Sequence, residues 1–258
     1  MSMEVGVQTF TIRREQKRSI ENAYLPMIEM GIKSFEIARI DFNERNAMAV
    51  KGLIDKYGIE VSAIQVKPKY VFGEVDKISR FCEITGCKRV VISMLPFGCI
   101  LGGEEKFYRF IESLDSQFEK YAEREITLAY HHHNWEYVTL SNGKMRMEEL
   151  LSKTKKIKFV NDTYWTARSG IDPVRQIEDF GERLLGVHLR DLAFRRRFLD
   201  VVPHDTALGE GVLDFHKIIP AAISAGCEYL VIEQNTSTPY ESIKRSYSHY
   251  KSITEVSG

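Results

Sequence analysis

The stretch ITLAYHHHNWEY, residues 126–137, begins as an apolar segment and ends in polar side chains. Its first five residues have the aliphatic, β-branched and aromatic side chains that are typical of a buried β-strand. Three histidines follow, and then Trp135 and Glu136. Successive residues of a strand point to opposite sides, so His131 and His133 are predicted to share one face and His132 to point toward the other.

Seven other segments resemble this strand, and amphipathic segments with helical spacing separate them. The eight strand candidates are residues 5–10, 34–39, 61–66, 89–94, 126–131, 157–162, 184–189 and 228–234. Several of them are apolar on both faces, which is typical of parallel strands covered by helices. Eight β-then-α units in 258 residues predict an α/β fold, a single-domain (β/α)8 TIM barrel over residues 1–258. An open, doubly wound sheet is the alternative, because periodicity cannot show whether the last strand meets the first.

The composition limits the class of partner. Apolar residues make up 43% of the chain and charged residues 28%, as in ordinary globular proteins. The 36 basic and 36 acidic residues cancel, so there is no overall positive field to hold a nucleic acid. No apolar run approaches the roughly 18 residues of a membrane span, and the N-terminal residues lack the layout of a secretion signal. These features predict a cytoplasmic protein without nucleic-acid or membrane partners.

Polar side chains end four consecutive strand candidates, where a barrel carries its functional residues. These residues are His131, Asp162, His188 and Glu233. His188 alone has an ordinary explanation as a core histidine, and Asp162 as a helix cap. Glu233 is harder to explain, since a buried carboxylate that ends an apolar strand needs a partner. Together the four supply the nitrogen and oxygen ligands that suit a divalent transition metal.

Four further residues are candidates for substrate binding. Arg190 follows strand seven, and Lys67 follows strand three, where a solvated loop is the alternative explanation. Glu210 lies in a Gly-Glu-Gly turn that is expected to bring it near the barrel mouth. Trp165 lies beside the predicted ligands, where a sugar ring can stack on it. The basic run at residues 190–198 either lines the mouth or is solvated.

In its order and spacing of motifs, the chain resembles the sugar phosphate isomerase/epimerase group of the xylose-isomerase-like TIM barrels. The resemblance runs nearly end to end. The motifs that carry it are VGVQTFTIR (5–13), YHHHNWEY (130–137), DTYWTARSGIDPV (162–174), VHLRD (187–191), LGEGVLDF (208–215) and YLVIEQN (229–235).

The resemblance implies a metal site. Related ketose 3-epimerases hold their metal through a glutamate, an aspartate, a histidine and a second glutamate from strands five to eight. The last three correspond to Asp162, His188 and Glu233. His131 stands where the first glutamate usually lies, so His131 is the favoured fourth ligand and Glu136 the alternative. The expected cofactor is one divalent ion, namely Mn, Co, Zn, Fe or Mg.

The implied function is that of a divalent-metal-dependent isomerase or epimerase of a keto-sugar or sugar phosphate. A proton would leave the carbon next to a metal-bound carbonyl, giving an enediolate. Glu233 is the expected base, and His133 or Glu136 the second acid/base group.

Other functions stay open. The YHHH segment also resembles inosose dehydratase-like relatives, so the alternative is a lyase that acts on an inosose or 3-keto-glycoside. A metal-free sugar-binding protein, a homo-oligomer and a subunit that needs a partner are further alternatives. A DNA-repair nuclease of the endonuclease IV type needs metal-binding histidines on earlier strands, whereas no histidine precedes His131.

Overall fold

The computed structural model describes residues 3–198 and 200–255. Within them the strands are β1 (Val5–Gln8), β2 (Ser34–Ala38), β3 (Glu60–Val66), β4 (Arg89–Ile92), β5 (Thr127–His131), β6 (Lys158–Asp162), β7 (Leu184–Leu189), β8 (Asp191–Arg197), β9 (Asp200–Thr206) and β10 (Tyr229–Ile232). Residues 1, 2, 199 and 256–258, which the domain prediction includes, lie outside the described residues.

Helices follow the strands around the barrel. They are α1 (Ile20–Glu29), α2 (Glu44–Tyr57), α3 (Pro68–Gly73), α4 (Val75–Thr85), α5 (Phe97–Leu101), α6 (Glu104–Ala122), α7 (Arg146–Lys153), α8 (Thr163–Arg168), α9 (Pro173–Phe180), α10 (Phe215–Ser224) and α11 (Pro239–Glu255). Two 3-10 helices span Asn134–Tyr137 and Gly181–Arg183. In the described part of the chain, no helix is both long and apolar enough to cross a membrane.

Eight parallel strands close into a barrel in the order β1-β10-β7-β6-β5-β4-β3-β2. Closure is made by β1 and β10, where Val5 pairs with Leu230 and Val7 with Ile232. The predicted TIM barrel is therefore confirmed, and the open-sheet alternative is wrong. Helix starts follow the sequence as well: Asp172 caps α9 by accepting a 2.9 Å hydrogen bond from the Val174 N–H, with Pro173 at the first helical position.

The strand ends differ from the prediction at several positions. The first strand ends at Gln8 and not at residue 10, because the Gln8 side chain accepts a hydrogen bond from the Phe10 N–H and the chain turns there. The eighth barrel strand ends at Ile232, so Glu233 lies directly after it. An unpredicted antiparallel hairpin, β8–β9, follows β7 and contains most of the basic run.

Candidate metal centre

His131 ends β5, and its side chain points into the barrel mouth. Its ring centroid lies 4.8 Å from that of His133 and 4.6 Å from that of His188. The imidazole is 2% exposed, and its Nδ1 lies 3.3 Å from the Ser93 carbonyl oxygen. Its Nε2 has no hydrogen-bond partner in residues 3–198 and 200–255. A buried ring nitrogen without a partner is costly unless a ligand takes it up.

Asp162 ends the neighbouring strand β6, and its two carboxylate oxygens have different partners. Its Oδ1 accepts a 3.0 Å hydrogen bond from the Trp165 N–H and caps α8. Its Oδ2 lies 3.5 Å from His131 Nε2. The helix-cap explanation and the site explanation of Asp162 are thus compatible, since each uses a different oxygen.

His188 is held between two glutamates. Its Nε2 lies 3.0 Å from both carboxylate oxygens of Glu36, and its Nδ1 lies 2.8 Å from Glu233 Oε2. The contact with Glu233 is not aligned as a hydrogen bond, and neither His188 Nδ1 nor Glu233 Oε2 has a hydrogen-bond partner in the part of the chain that the structure describes. With Nε2 held by Glu36, Nδ1 is the ring nitrogen that faces Glu233 and the rest of the site, and a metal bound at Nδ1 would replace the proton there.

The geometry fits a metal ion. One ligand atom from each of His131, Asp162, His188 and Glu233 lies within 4.8 Å of the other three, and all four side chains are buried. Three atoms of these side chains, His131 Nε2, His188 Nδ1 and Glu233 Oε2, have no hydrogen-bond partner among the described residues and are therefore free to bind an ion. Two imidazole nitrogens and two carboxylate oxygens form a donor set suited to Zn²⁺ and related divalent metals.

The charges in the site perturb one another strongly. Burial opposes ionisation of Asp162, but Arg190 and His131 outweigh it and lower the pKa of that carboxyl. Burial also opposes ionisation of Glu233, and Arg190 and His188 outweigh it, so its pKa is lowered too. Burial disfavours a charged His188, yet Glu36 and Glu233 raise its pKa to about 10. Both ligand carboxylates are consequently negative at neutral pH.

Glu36 is a site residue that the sequence reasoning missed. It lies within β2, and its side chain is 0% exposed. The signal was a glutamate inside the apolar segment SFEIA, because such a carboxylate must find a partner in the barrel interior.

Arg190 lies within the site and binds its carboxylates. Its Nη1 is 3.0 Å from Asp162 Oδ2 and 3.3 Å from Glu233 Oε1, and its Nη2 donates a 2.7 Å hydrogen bond to Asp205 of β9. The guanidinium carbon lies 5.6 Å from the centroid of a Trp165 ring. Arg190 therefore balances the negative charge of the cluster and ties it to the hairpin.

His133 and Trp165 adjoin the cluster on the mouth side. Their ring centroids are 5.1 Å apart. His133 Nδ1 and Trp165 Nε1 are buried atoms without hydrogen-bond partners among the described residues. Burial and the neighbouring His131 lower the pKa of His133 well below its usual value, so the ring is neutral. Both side chains offer free polar atoms to a substrate.

His132 points away from the mouth, as strand alternation predicts. Its ring centroid lies 5.4 Å from that of Tyr137 and 6.1 Å from that of Phe180, both in the helical layer. Its Nε2 lies 3.0 Å from Asn161 Oδ1 and accepts a 3.1 Å hydrogen bond from the Asp162 N–H. Burial and His131 lower its pKa to about 4, so it is a neutral structural residue.

Glu136 does not reach the cluster. It is fully buried, and its two oxygens accept hydrogen bonds from the Tyr130 hydroxyl and, at 2.8 Å, from the His133 N–H. It closes the 3-10 helix that follows β5 as part of a capping box. The geometry accordingly favours His131 over Glu136 as the fourth ligand and leaves Glu136 without a free oxygen for acid/base work.

Lys67 fits the solvated-loop explanation, whereas Glu210 has a partner outside the cluster. Lys67 is exposed at the start of α3, and no contact in the described chain joins it to the cluster. Glu210 pairs at 2.6 Å with Arg245 of α11 and does not face the site. The Gly-Glu-Gly turn acts through its backbone, because the N–H groups of Gly209 and Gly211 donate to Asp191 Oδ2 at 3.0 and 2.9 Å.

Comparisons with known proteins show which sequences and folds the chain is similar to. The chain is 29% identical to an inosose dehydratase from Geobacillus thermodenitrificans (strain NG80-2) over 147 residues, which are 50% of this chain and 47% of that protein. The match thus spans about half the length of that curated relative.

Two solved structures are similar in fold. A sugar phosphate isomerase/epimerase from Parabacteroides distasonis ATCC 8503 superposes with a TM-score of 0.80 at 18% identity, covering 98% of this chain and 96% of that one. An IolI protein with a bound zinc atom superposes with a TM-score of 0.69 at 12% identity, covering 98% of this chain and 99% of that one. The sequence model of the xylose isomerase-like TIM barrel family matches residues 27–253. The chain therefore belongs to the xylose isomerase-like TIM barrel family.

Proposed function

We propose that the protein is a divalent-metal-dependent isomerase or epimerase of a keto-sugar or sugar phosphate. The observation that carries this proposal is the buried set His131, Asp162, His188 and Glu233, whose ligand atoms lie within 4.8 Å of one another at the ends of four neighbouring strands. A divalent ion held there polarises a carbonyl and makes the adjacent C–H bond more acidic.

The side chains around this set divide the remaining work. Glu233 is ionised and has two oxygens: Oε2, which has no hydrogen-bond partner among the described residues, would bind the metal, and Oε1, 3.3 Å from Arg190 Nη1, would take the proton next to the carbonyl. His133 adjoins the ligand His131 and has a free Nδ1, so it is the group that returns a proton or protonates a leaving hydroxyl. Trp165 forms an apolar wall beside His133 on which a sugar ring can stack.

A lyase that acts on an inosose or a 3-keto-glycoside is the second candidate. Its support is the 29% identity to an inosose dehydratase. The location of Glu136 adds to it, because an epimerase with two opposed carboxylate acid/bases lacks its second member when Glu136 is committed to Tyr130. Both reactions begin with the same proton removal and differ in whether a proton returns or water leaves.

The proposed cofactor is one divalent ion among Mn, Co, Zn, Fe and Mg, and the zinc atom in the IolI structure makes Zn²⁺ the first to test. The proposed partner is a small carbohydrate, without nucleic acid or membrane. A cytoplasmic location and the choice between a homo-oligomer and a partner subunit stay predictions.

Proton exchange in D₂O tests the proposal directly. The metal-loaded protein is incubated with keto-sugars, their phosphates, inososes and 3-keto-glycosides, and deuterium next to the carbonyl is followed by NMR. We expect exchange with at least one compound and its loss, by 10²-fold or more, in Glu233→Gln. Glu228→Gln is the matched control, because Glu228 precedes the same strand but pairs at 2.7 Å with the half-buried Arg89 outside the site.

The same samples separate the alternatives. An unchanged mass with a new stereoisomer or constitutional isomer indicates an isomerase, whereas loss of water or of a glycosyl group indicates a lyase. Normal exchange in Glu233→Gln would remove this residue as the base. Less than stoichiometric metal after purification, with no effect of chelation on activity or stability, would contradict the proposal and favour a metal-free sugar-binding protein.

A further inference from the structure

Two arginines lie on the side of the barrel mouth formed by β1 and β2, which are adjacent strands. Arg13 lies in the loop after β1, and Arg39 directly follows β2. Because the C-terminal ends of parallel strands meet at one edge of the barrel, both residues lie at the same end as the metal cluster.

One phenylalanine sits beside both guanidinium groups. The guanidinium carbon of Arg13 is 4.1 Å, and that of Arg39 5.3 Å, from the centroid of the Phe10 ring. Arg13 also donates to the Phe10 carbonyl at 3.0 Å and to Asn235 Oδ1 at 2.6 Å. Arg13 is half-buried and held in place, whereas Arg39 is exposed.

Neither arginine has a carboxylate partner. Among residues 3–198 and 200–255, no carboxylate oxygen lies within 4.0 Å of either guanidinium group. Arg190 differs, since it contacts three carboxylates. Partial burial, and then repulsion from Arg14 and Arg39, lower the pKa of Arg13. The more distant charges of Glu15 and Glu233 offset this only in part, so the fold holds positive charges together at a cost in electrostatic energy.

The backbone of Arg39 adds a second unfavourable feature. Its φ is +63°, in the left-handed region that side-chain-bearing residues seldom adopt. Conformations of this kind are retained most often at functional sites.

A chain of contacts links this side of the mouth to the metal cluster. Asn235 accepts from Arg13, and its N–H donates at 2.7 Å to Asp205 Oδ2, which also binds Arg190. Asn235 follows the predicted base Glu233 by two residues. On neighbouring β3, Gln65 Nε2 is a buried donor without a partner in the described chain. The side of the mouth formed by β1, β2 and β3 consequently offers hydrogen-bond donors to a ligand.

We propose that Arg13 and Arg39 form an anion subsite that binds a phosphate ester or carboxylate at the end of the substrate remote from the metal-bound carbonyl. The proposal rests on the proposed function only in naming the substrate class, an anionic keto-sugar. Two guanidinium groups suit such an anion, because each donates charge-assisted hydrogen bonds in a fork that matches its oxygens.

The test measures anion binding apart from catalysis. Chelator-treated protein is titrated with inorganic phosphate, and separately with malonate, by calorimetry at low ionic strength, because salt screens exposed charges. We expect wild type to bind at least one of them and Arg39→Gly to bind it at least tenfold more weakly, as expected for loss of a charge-assisted interaction. Tighter binding of phosphate indicates a sugar phosphate, and tighter binding of malonate indicates a sugar acid.

Replacing Arg39 by glycine distinguishes a loss of anion affinity from a loss of stability. Glycine adopts positive φ without strain, so Arg39→Gly is expected to melt no lower than wild type while it loses the anion. Arg13→Gln is the second variant, with the same expected loss of affinity. Arg109→Gln removes an equal charge from the exposed surface of α6, where Arg109 pairs at 3.4 Å with Glu105, and should bind as wild type does.

Two results would overturn the subsite: no binding of either anion by wild type, or undiminished binding by both Arg39→Gly and Arg13→Gln. Either result leaves the proton-exchange test unaffected, because proton exchange depends on the metal cluster and Glu233 and not on Arg13 or Arg39. Conversely, anion binding in the chelated protein does not depend on whether exchange occurs.

Discussion

Glu36 determines which nitrogen of His188 faces the candidate metal centre. Both of its oxygens lie 3.0 Å from Nε2, so Nδ1 is the atom left beside Glu233. A carboxylate that accepts from the far nitrogen of a ligating imidazole fixes the ring and raises its basicity. Glu36 would thus act on a bound metal as a positioning residue, through His188.

Replacing this carboxylate should weaken metal binding. In Glu36→Gln the amide oxygen can still accept from His188, but the negative charge is lost, so we expect affinity for Zn²⁺ to fall by roughly 10–100-fold. Competition with a chromogenic chelator measures the affinity. The visible spectrum of the Co²⁺ form reports whether the ligand geometry changes.

Glu60→Gln is the matched control, since Glu60 is exposed at the start of β3. Glu36→Asp should keep the charge and recover part of the affinity, which a purely structural role would not require. Wild-type affinity and an unaltered Co²⁺ spectrum in Glu36→Gln would show that Glu36 does not act on the metal through His188.

For single residues, the sequence predicts well which side chains lie at the ends of the barrel strands. His131, Asp162, His188 and Glu233 come together because each ends a strand of one parallel barrel, a rule that requires only strand positions. The structure places Glu136 against Tyr130 and Glu210 against Arg245, and the sequence could not show these contacts because they depend on side-chain directions in a loop and on a helix distant in sequence. Glu36 was missed because the rule for strand ends does not cover a residue inside a strand.

The β8–β9 hairpin is the element that the sequence analysis did not foresee. It is antiparallel and places Asp205 against Arg190 and the Asn235 N–H. Its basic residues resemble a solvated loop, and three arginines in a row obscure the alternation that marks a strand. The Gly-Glu-Gly turn follows this hairpin. The structure explains its glycines, because their N–H groups bind the carboxylate of Asp191.

Asp191 organises that turn through backbone hydrogen bonds. Its carboxylate accepts from four N–H groups, those of Leu192, Gly209, Gly211 and Leu213, at 2.8–3.1 Å. A Cβ on Gly211 would collide with this carboxylate, and Gly209 has a φ of +83°. The Gly-Glu-Gly turn is therefore a backbone cradle for Asp191.

Asp191→Asn should destabilise the protein. The amide presents N–H groups to backbone donors and leaves two of them unsatisfied in a buried place, so we expect a loss on the order of 3 kcal/mol in the free energy of unfolding. Urea unfolding followed by circular dichroism measures it. Asp214→Asn is the control, because Asp214 caps α10 and asparagine caps helices about as well as aspartate does. Equal stability of the two variants would refute the importance of the cradle.

At the scale of the whole molecule, closure of the barrel brings residues from distant parts of the chain together at the mouth. The pairing of β1 with β10 brings the Arg13 loop beside the end of the strand that precedes Glu233. The count of eight strands predicted closure, but the contacts across the seam required the structure, because they join residues 222 positions apart. Metal ligands from four strands likewise connect distant parts of the chain, so metal binding should stabilise the entire fold.

Metal removal should lower the melting temperature in a concentration-dependent way. A ligand that binds only the folded state stabilises it by about 2.7 kcal/mol at a concentration of 100 times its Kd. For a domain of this size each kcal/mol shifts Tm by roughly 2–4 °C, so saturating metal should raise Tm by about 5–10 °C over the chelated protein. Differential scanning calorimetry at rising concentrations of Zn²⁺ or Mn²⁺ measures this. The shift should be much smaller in Asp162→Asn and undiminished in Glu228→Gln, because Asp162 belongs to the candidate ligand set and Glu228 does not. A melting temperature that none of the five candidate metals raises would contradict a metal centre formed by His131, Asp162, His188 and Glu233.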